Sequence, residues 1–155
     1  MDLGITGKRA VVAASTSGLG LATAVALADA GCTVVVNGRT EERLAAAVPK
    51  VAGSIPIAGD LSTREGAETF IDAAAEALGG IDILITNAGG PPPGNFAQTD
   101  ITAYAAALEM NLVSMAAMCK KVVPGMQAQH WGRIVAITST SVHTPMPNLI
   151  LSNTA

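Results

Sequence analysis

Five short apolar stretches punctuate the chain, at residues 9–14, 33–37, 54–58, 81–86 and 133–138, each bounded by glycine or by charged and polar side chains. Continuous β-branched runs such as Val34-Val35-Val36 suit strands covered on both faces. Between them lie alanine-rich segments of helical length at 18–30, 41–51, 64–78 and 101–129. Strand and helix therefore alternate. Parallel strands need a crossover connection and a helix is the usual one, so the pattern predicts a single α/β domain, a parallel sheet with helices on both faces. Thr40 and Ser62 stand just before helical runs and are the expected N-caps. In the longest helix, Tyr104, Leu108, Leu112, Met115, Met118 and Val122 recur at helical steps, an apolar stripe for packing against the sheet or a partner subunit. Pro91-Pro92-Pro93-Gly94 reads as a short stiff loop.

Half of the 155 residues are hydrophobic, enough for one sizeable core. Net charge is −3 with 14% charged residues, so no basic surface points to a nucleic acid and a small molecule is the expected ligand. No apolar run approaches the roughly 18 residues that cross a bilayer. The N-terminal residues lack the features of a secretory leader, which makes a cytoplasmic protein the expectation. Cys32 and Cys119 lie far apart with no Cys/His cluster, so they are expected to be reduced thiols, and no metal is expected.

Residues 13–20, AASTSGLG, follow the first strand and open the first helix. Glycine at such a turn lets the backbone bend and lets a pyrophosphate approach the helix N-terminus. The stretch resembles the TGxxxGxG loop of the short-chain dehydrogenase/reductase family in its last two glycines, with Ala13 and Ala14 in place of Thr and the first Gly. Two further matches follow at the ends of later strands. Asp60-Leu61 is similar to the family's adenine-contacting pair, although Asp60 could equally cap a helix, and Thr86-Asn87-Ala88-Gly89 resembles its NNAG motif. The resemblance implies a Rossmann-type, doubly wound, three-layer α/β/α fold that binds a dinucleotide. The expected cofactor residues are Ser15, Thr16, Ser17, Gly18, Leu19 and Gly20, then Arg39, Asp60, Leu61, Asn87, Ala88 and Gly89. The second strand ends in Asn37-Gly38-Arg39 with no acidic residue for a ribose 2′-hydroxyl, and an arginine suits a 2′-phosphate. NADP(H) is the expected cofactor, unless Arg39 is merely a solvated charge.

In the family, carbonyl reduction is carried by Asn, Ser, Tyr and Lys. Asn111 matches the Asn that anchors a relay water. The stretch 132–141, GRIVAITSTS, is similar to the family's fifth strand and puts Ser139 at the catalytic serine position, among the neighbouring hydroxyls of Thr138, Thr140 and Ser141. Counting on to the place of the family's YxxxK tyrosine gives Ser152, and the lysine position falls just past Ala155. A phenol with a pKa of about 10 can be lowered by a neighbouring ammonium, whereas an aliphatic hydroxyl is far harder to ionise. Tyr104 is the only tyrosine and lies on the helix of Asn111. His143 has the better chemistry for proton donation but reads more simply as a surface residue. The family's sheet continues through a further helix and two more strands, so a longer natural protein, homodimeric or homotetrameric, is expected, with the fifth strand here left as an exposed edge.

Two functions follow from this resemblance. One is an NADP(H)-dependent oxidoreductase acting on a carbonyl or alcohol, similar to 3-oxoacyl-[acyl-carrier-protein] reductases. The other is a dinucleotide-binding protein that has lost the chemistry and serves a regulatory or structural role.

Overall fold

A computed structural model describes residues 2–155. Five strands, β1 (Arg9–Val12), β2 (Thr33–Gly38), β3 (Ile55–Ala58), β4 (Ile83–Thr86) and β5 (Arg133–Ala136), form one parallel sheet in the order β3-β2-β1-β4-β5. Crossovers between parallel strands are right-handed. Running outward from β1 through β2 to β3 therefore places α1 (Gly18–Asp29) and α2 (Glu41–Ala47) on one face. Crossing back to β4 places α3 (Arg64–Leu78) and the helices after it on the other.

Alternation along β1 divides the core accordingly. Ala10 and Val12 pack with Val34, Val36, Leu44 and Ala24 beneath α1 and α2, while Val11 and Ala13 pack with Val35, Leu84, Phe70, Ile71 and Met118 beneath α3 and α5. Phe70 is 2% exposed, and truncating so large a core side chain costs about 3–5 kcal/mol. At the opposite edge of the sheet from the site described below, the Arg9 guanidinium binds Asp82 at 2.8 Å and holds its carboxyl at about 2, well below the usual carboxylate range. Cys32 is buried and Cys119 half-buried, both are free thiols, and burial pushes both up.

The expected fold is present: a doubly wound, three-layer α/β/α sheet of five parallel strands. Its details differ from expectation in four places. The helix expected over 41–51 ends at Ala47 and tightens into a 3₁₀ turn, Val48–Lys50, because Pro49 lacks the N–H that a further α-turn would use. Thr40 caps α2 as expected, but α3 is capped by Thr63, whose Oγ1 accepts the Gly66 N–H at 3.1 Å, while the Ser62 N–H donates to Asp60 Oδ1. The long helix is not continuous α: α4 (Thr102–Leu108) gives way to a π-turn, Glu109–Val113, before α5 (Ser114–Ala128). The extra residue rotates the apolar stripe out of phase, so Met118 and Val122 are buried but Leu112 is 56% exposed. Lastly, β5 is exposed on its faces as well as along its edge, with Val135 52% exposed, because among the described residues no helix covers it as α3 and α5 cover the middle of the sheet.

Candidate functional site

The strand order reverses between β1 and β4, and in open α/β sheets ligands bind beyond the carboxyl ends of the strands at such a switch point. The turn leaving β1 is built on Ala14, which adopts φ +46°, a left-handed conformation that costs a residue with a Cβ about 1 kcal/mol relative to glycine. Two asparagines hold it there. The Ala14 N–H donates to Asn37 Oδ1 at 3.1 Å, and Asn87 Nδ2 donates to the Ala14 carbonyl at 3.2 Å. Asn37 is only 1% exposed and joins three strand ends: its Nδ2 donates to the Ile57 and Gly59 carbonyls, and its backbone pairs with Ser15. Nothing in the sequence pattern gave Asn37 a role. The available signal was a polar residue embedded in an otherwise buried strand.

This wiring corrects one expected site residue. Ser15 is fully buried, its hydroxyl donates to the Val12 carbonyl at 2.7 Å and accepts the Asn37 N–H at 2.9 Å, and its own N–H donates to the Asn37 carbonyl. Neither group is free for a phosphate, and Ser15 does not line the cleft. Gly20 has a packing role instead of a lining one. A Cβ there would stand 2.5 Å from the Ala14 carbonyl oxygen and 2.8 Å from Asn87 Nδ2, so only glycine lets α1 start this close to the strands.

Beyond the turn opens a cleft of about 380 Å³. Thr16, Ser17, Gly18 and Leu19 form its floor at the start of α1. Ser17 is the N-cap of α1 but makes no side-chain cap bond, which leaves the first amides of a twelve-residue helix as an anion-binding end. Arg39 lines the cleft, and so does Arg43 in the first turn of α2, whose spacing from Arg39 is visible in the sequence. Asp60, Leu61 and Ser62 line the far side, and Asn87, Ala88 and Gly89 line the side under β4. Asp60 accepts from Ser62 in a local turn and does not cap α3, so the capping alternative falls away.

The candidate catalytic residues sit differently. Asn111 lies in the π-turn, half-buried, and its Nδ2 donates back to the Ala107 carbonyl at 3.2 Å. Its neighbour Met110 reaches the cleft but Asn111 does not line it. Glu109, one residue earlier, crosses to α3 and accepts the Arg64 N–H at 2.8 Å, tying the π-turn to the loop that carries Asp60. Ser139 lies three residues past β5, exposed, at the start of the 3₁₀ turn Thr140–Val142, and its Oγ accepts from both the N–H and the hydroxyl of Ser141. Ser152 is half-buried in α6 (Ile150–Thr154), and α6 is anchored to the proline loop through Gly94, which pairs with Asn148 and Ile150 at 2.8 and 3.0 Å. His143 is exposed at the end of a 3₁₀ turn. Tyr104 packs on α4, away from the cleft lining, with its hydroxyl buried and unpartnered. Among the described residues no cluster of His, Cys, Asp and Glu could hold a metal ion.

Residues 8–152 match the family model described as short chain dehydrogenase, so the chain belongs to the short-chain dehydrogenase family. It is 33% identical over 147 residues to dehydrogenase/reductase SDR family member 4 of Sus scrofa, covering 92% of this chain and 53% of that protein. Its backbone superposes with a TM-score of 0.92 on L-sorbose reductase from Gluconobacter frateurii, solved with NADPH and L-sorbose, at 29% identity over 99% of this chain and 60% of that one. A 7α-hydroxysteroid dehydrogenase solved with NADH gives 0.89 at 26% identity, covering 96% and 60%. The chain spans 53–58% of the length of the curated relatives it matches.

Proposed function

We propose that this chain forms the cofactor-binding part of an NADP(H)-dependent oxidoreductase that passes a hydride between the nicotinamide and a carbonyl or alcohol carbon. The observation that carries the reading is that Arg39 and Arg43 both line a cleft that is also lined by the uncapped start of α1. Two guanidinium groups there suit a 2′-phosphate, and the helix end suits a pyrophosphate. Asp60 and Leu61 would flank the adenine, and Asn87, Ala88 and Gly89 the nicotinamide ribose. L-sorbose reductase, similar in backbone, was solved with NADPH; the steroid dehydrogenase with NADH keeps the alternative cofactor in view.

NADP(H), when bound, supplies or takes the hydride. Ser139 would hydrogen-bond the reacting oxygen, and Asn111 would hold a relay water once its bond to Ala107 is exchanged. The substrate class proposed from the resemblance is a 3-oxoacyl thioester. Assembly as a homodimer or homotetramer in the cytoplasm belongs to the same proposal, supported by the exposed Leu112 and Val113 on the long helix. A second reading, a dinucleotide-binding protein without the chemistry, is favoured by Ser152 in place of a tyrosine, since an aliphatic hydroxyl is a poor proton donor.

Titration with NADPH and NADH by nicotinamide fluorescence, on the wild type and on Arg39→Asp, tests the cofactor. The variant should weaken NADPH about a hundredfold and NADH little, the worth of a lost charge-assisted contact plus a repulsive carboxylate. Equal weakening of both would remove the 2′-phosphate role. Oxidation of NADPH with acetoacetyl thioesters and simple ketones then separates the two functions: binding with turnover supports the enzyme, and binding without it supports the second reading.

A further inference from the structure

We infer that Ser141 is a positioning residue that fixes Ser139 as a hydrogen-bond donor, an inference that rests on the carbonyl-reduction reading above. The sequence offers a run of hydroxyls from Thr138 to Ser141, and the structure separates their roles. Ser139 is exposed in the segment between β5 and the 3₁₀ turn Thr140–Val142, whereas Ser141, on that turn, is 3% exposed. Ser139 Oγ lies 3.1 Å from the Ser141 nitrogen and 2.9 Å from Ser141 Oγ.

The amide can only donate. The direction of the hydroxyl pair follows from burial: if Ser139 donated, the Ser141 proton would be left inside with no acceptor among the described residues, at the full desolvation cost of an unmade bond. Ser141 therefore donates, and Ser139 accepts twice. Both lone pairs of Ser139 Oγ are then occupied, and its own proton is the one function left for a ligand. A serine held this way presents a donor to a carbonyl or alkoxide oxygen without rotating to find it, so the orientation is set before substrate arrives. Accepting two hydrogen bonds also polarises the Ser139 O–H and strengthens what it donates. Ser141 touches no reacting atom and acts through Ser139.

The test is steady-state reduction of an acetoacetyl thioester by NADPH on the full chain, with Ser139→Ala, Ser141→Ala, Ser141→Thr and the double alanine variant, each first titrated with NADPH. Ser141→Ala should lower kcat about tenfold with KM and NADPH affinity unchanged, one hydrogen bond's worth in the transition state. Ser141→Thr should recover most of it, and the double variant should be no slower than Ser139→Ala, because a residue acting only through Ser139 has nothing left to position. An unchanged kcat in Ser141→Ala, losses that multiply in the double variant, or a loss that appears in NADPH affinity would overturn the inference while leaving the carbonyl-reduction reading intact. A Ser139→Ala variant as active as the wild type, or a wild type that binds NADPH and turns over no substrate, would overturn that reading and the inference with it.

Discussion

The two halves of the site are built on opposite plans. On the side of Ala14, three strand ends are knitted together by Asn37 and Ser15, whose side-chain polar atoms are all used inside the protein, and the strained Ala14 turn is held at both its N–H and its carbonyl. On the side of Asn111 and Ser139, each candidate residue makes one or two short-range bonds to its own segment, and the strand beneath is exposed. A cofactor cleft has to exist before the ligand arrives, because its donors are backbone amides that only a fixed turn can aim. Of the residues proposed to meet a substrate, Asn111 keeps a side chain able to exchange partners, while Ser139 is held only by its own turn.

Asn37→Ala should break this contrast most sharply. It strands the part-buried Ala14 N–H and removes the donor to two carbonyls, at about 4 kcal/mol of stability, read from urea unfolding monitored by circular dichroism. A loss under 1 kcal/mol would mean the knot is not what holds the turn. Ala14→Gly acts on the same turn in the opposite direction. Relief of the left-handed strain should raise stability by about 1 kcal/mol, partly offset by the freer unfolded chain, with NADPH affinity retained. Glu109→Ala tests the strut between the π-turn and α3. Losing the carboxylate at the start of α3 should cost about 1 kcal/mol, and Glu109→Gln, which still accepts from Arg64, should recover part of it. Asn111→Ala should cost least, about 0.5 kcal/mol, since its only bond within the chain is a long return to its own helix, so any large effect should fall on turnover.

Much of the cofactor half was legible because it is local. Gly18 and Gly20 after the first strand, Asp60-Leu61 after the third and Asn87-Ala88-Gly89 after the fourth are short segments, each read against its own strand end. Parallel topology then brings all the ends to one edge. Arg43 was missed because it enters the cleft only when the first turn of α2 is laid against β2. Ser15 was misassigned because a hydroxyl in a phosphate turn looks the same whether it faces the ligand or the sheet. The π-turn was invisible, since one extra residue in a helix changes which face is apolar without changing which residues are apolar.

The alternation of strands and helices along the chain and the short segments at the strand ends follow from the sequence alone, because periodicity and strand-end motifs are properties of neighbours along the chain. Tertiary structure decided which polar groups are spent and which are free. Asn37 and Ser15 were consumed in holding the turn, Ser141 was buried behind Ser139, and Arg43 was brought to the cleft that Arg39 lines. Those outcomes depend on contacts between segments tens of residues apart, where the penalty for an unpaired buried donor, and no local preference, selects the partner.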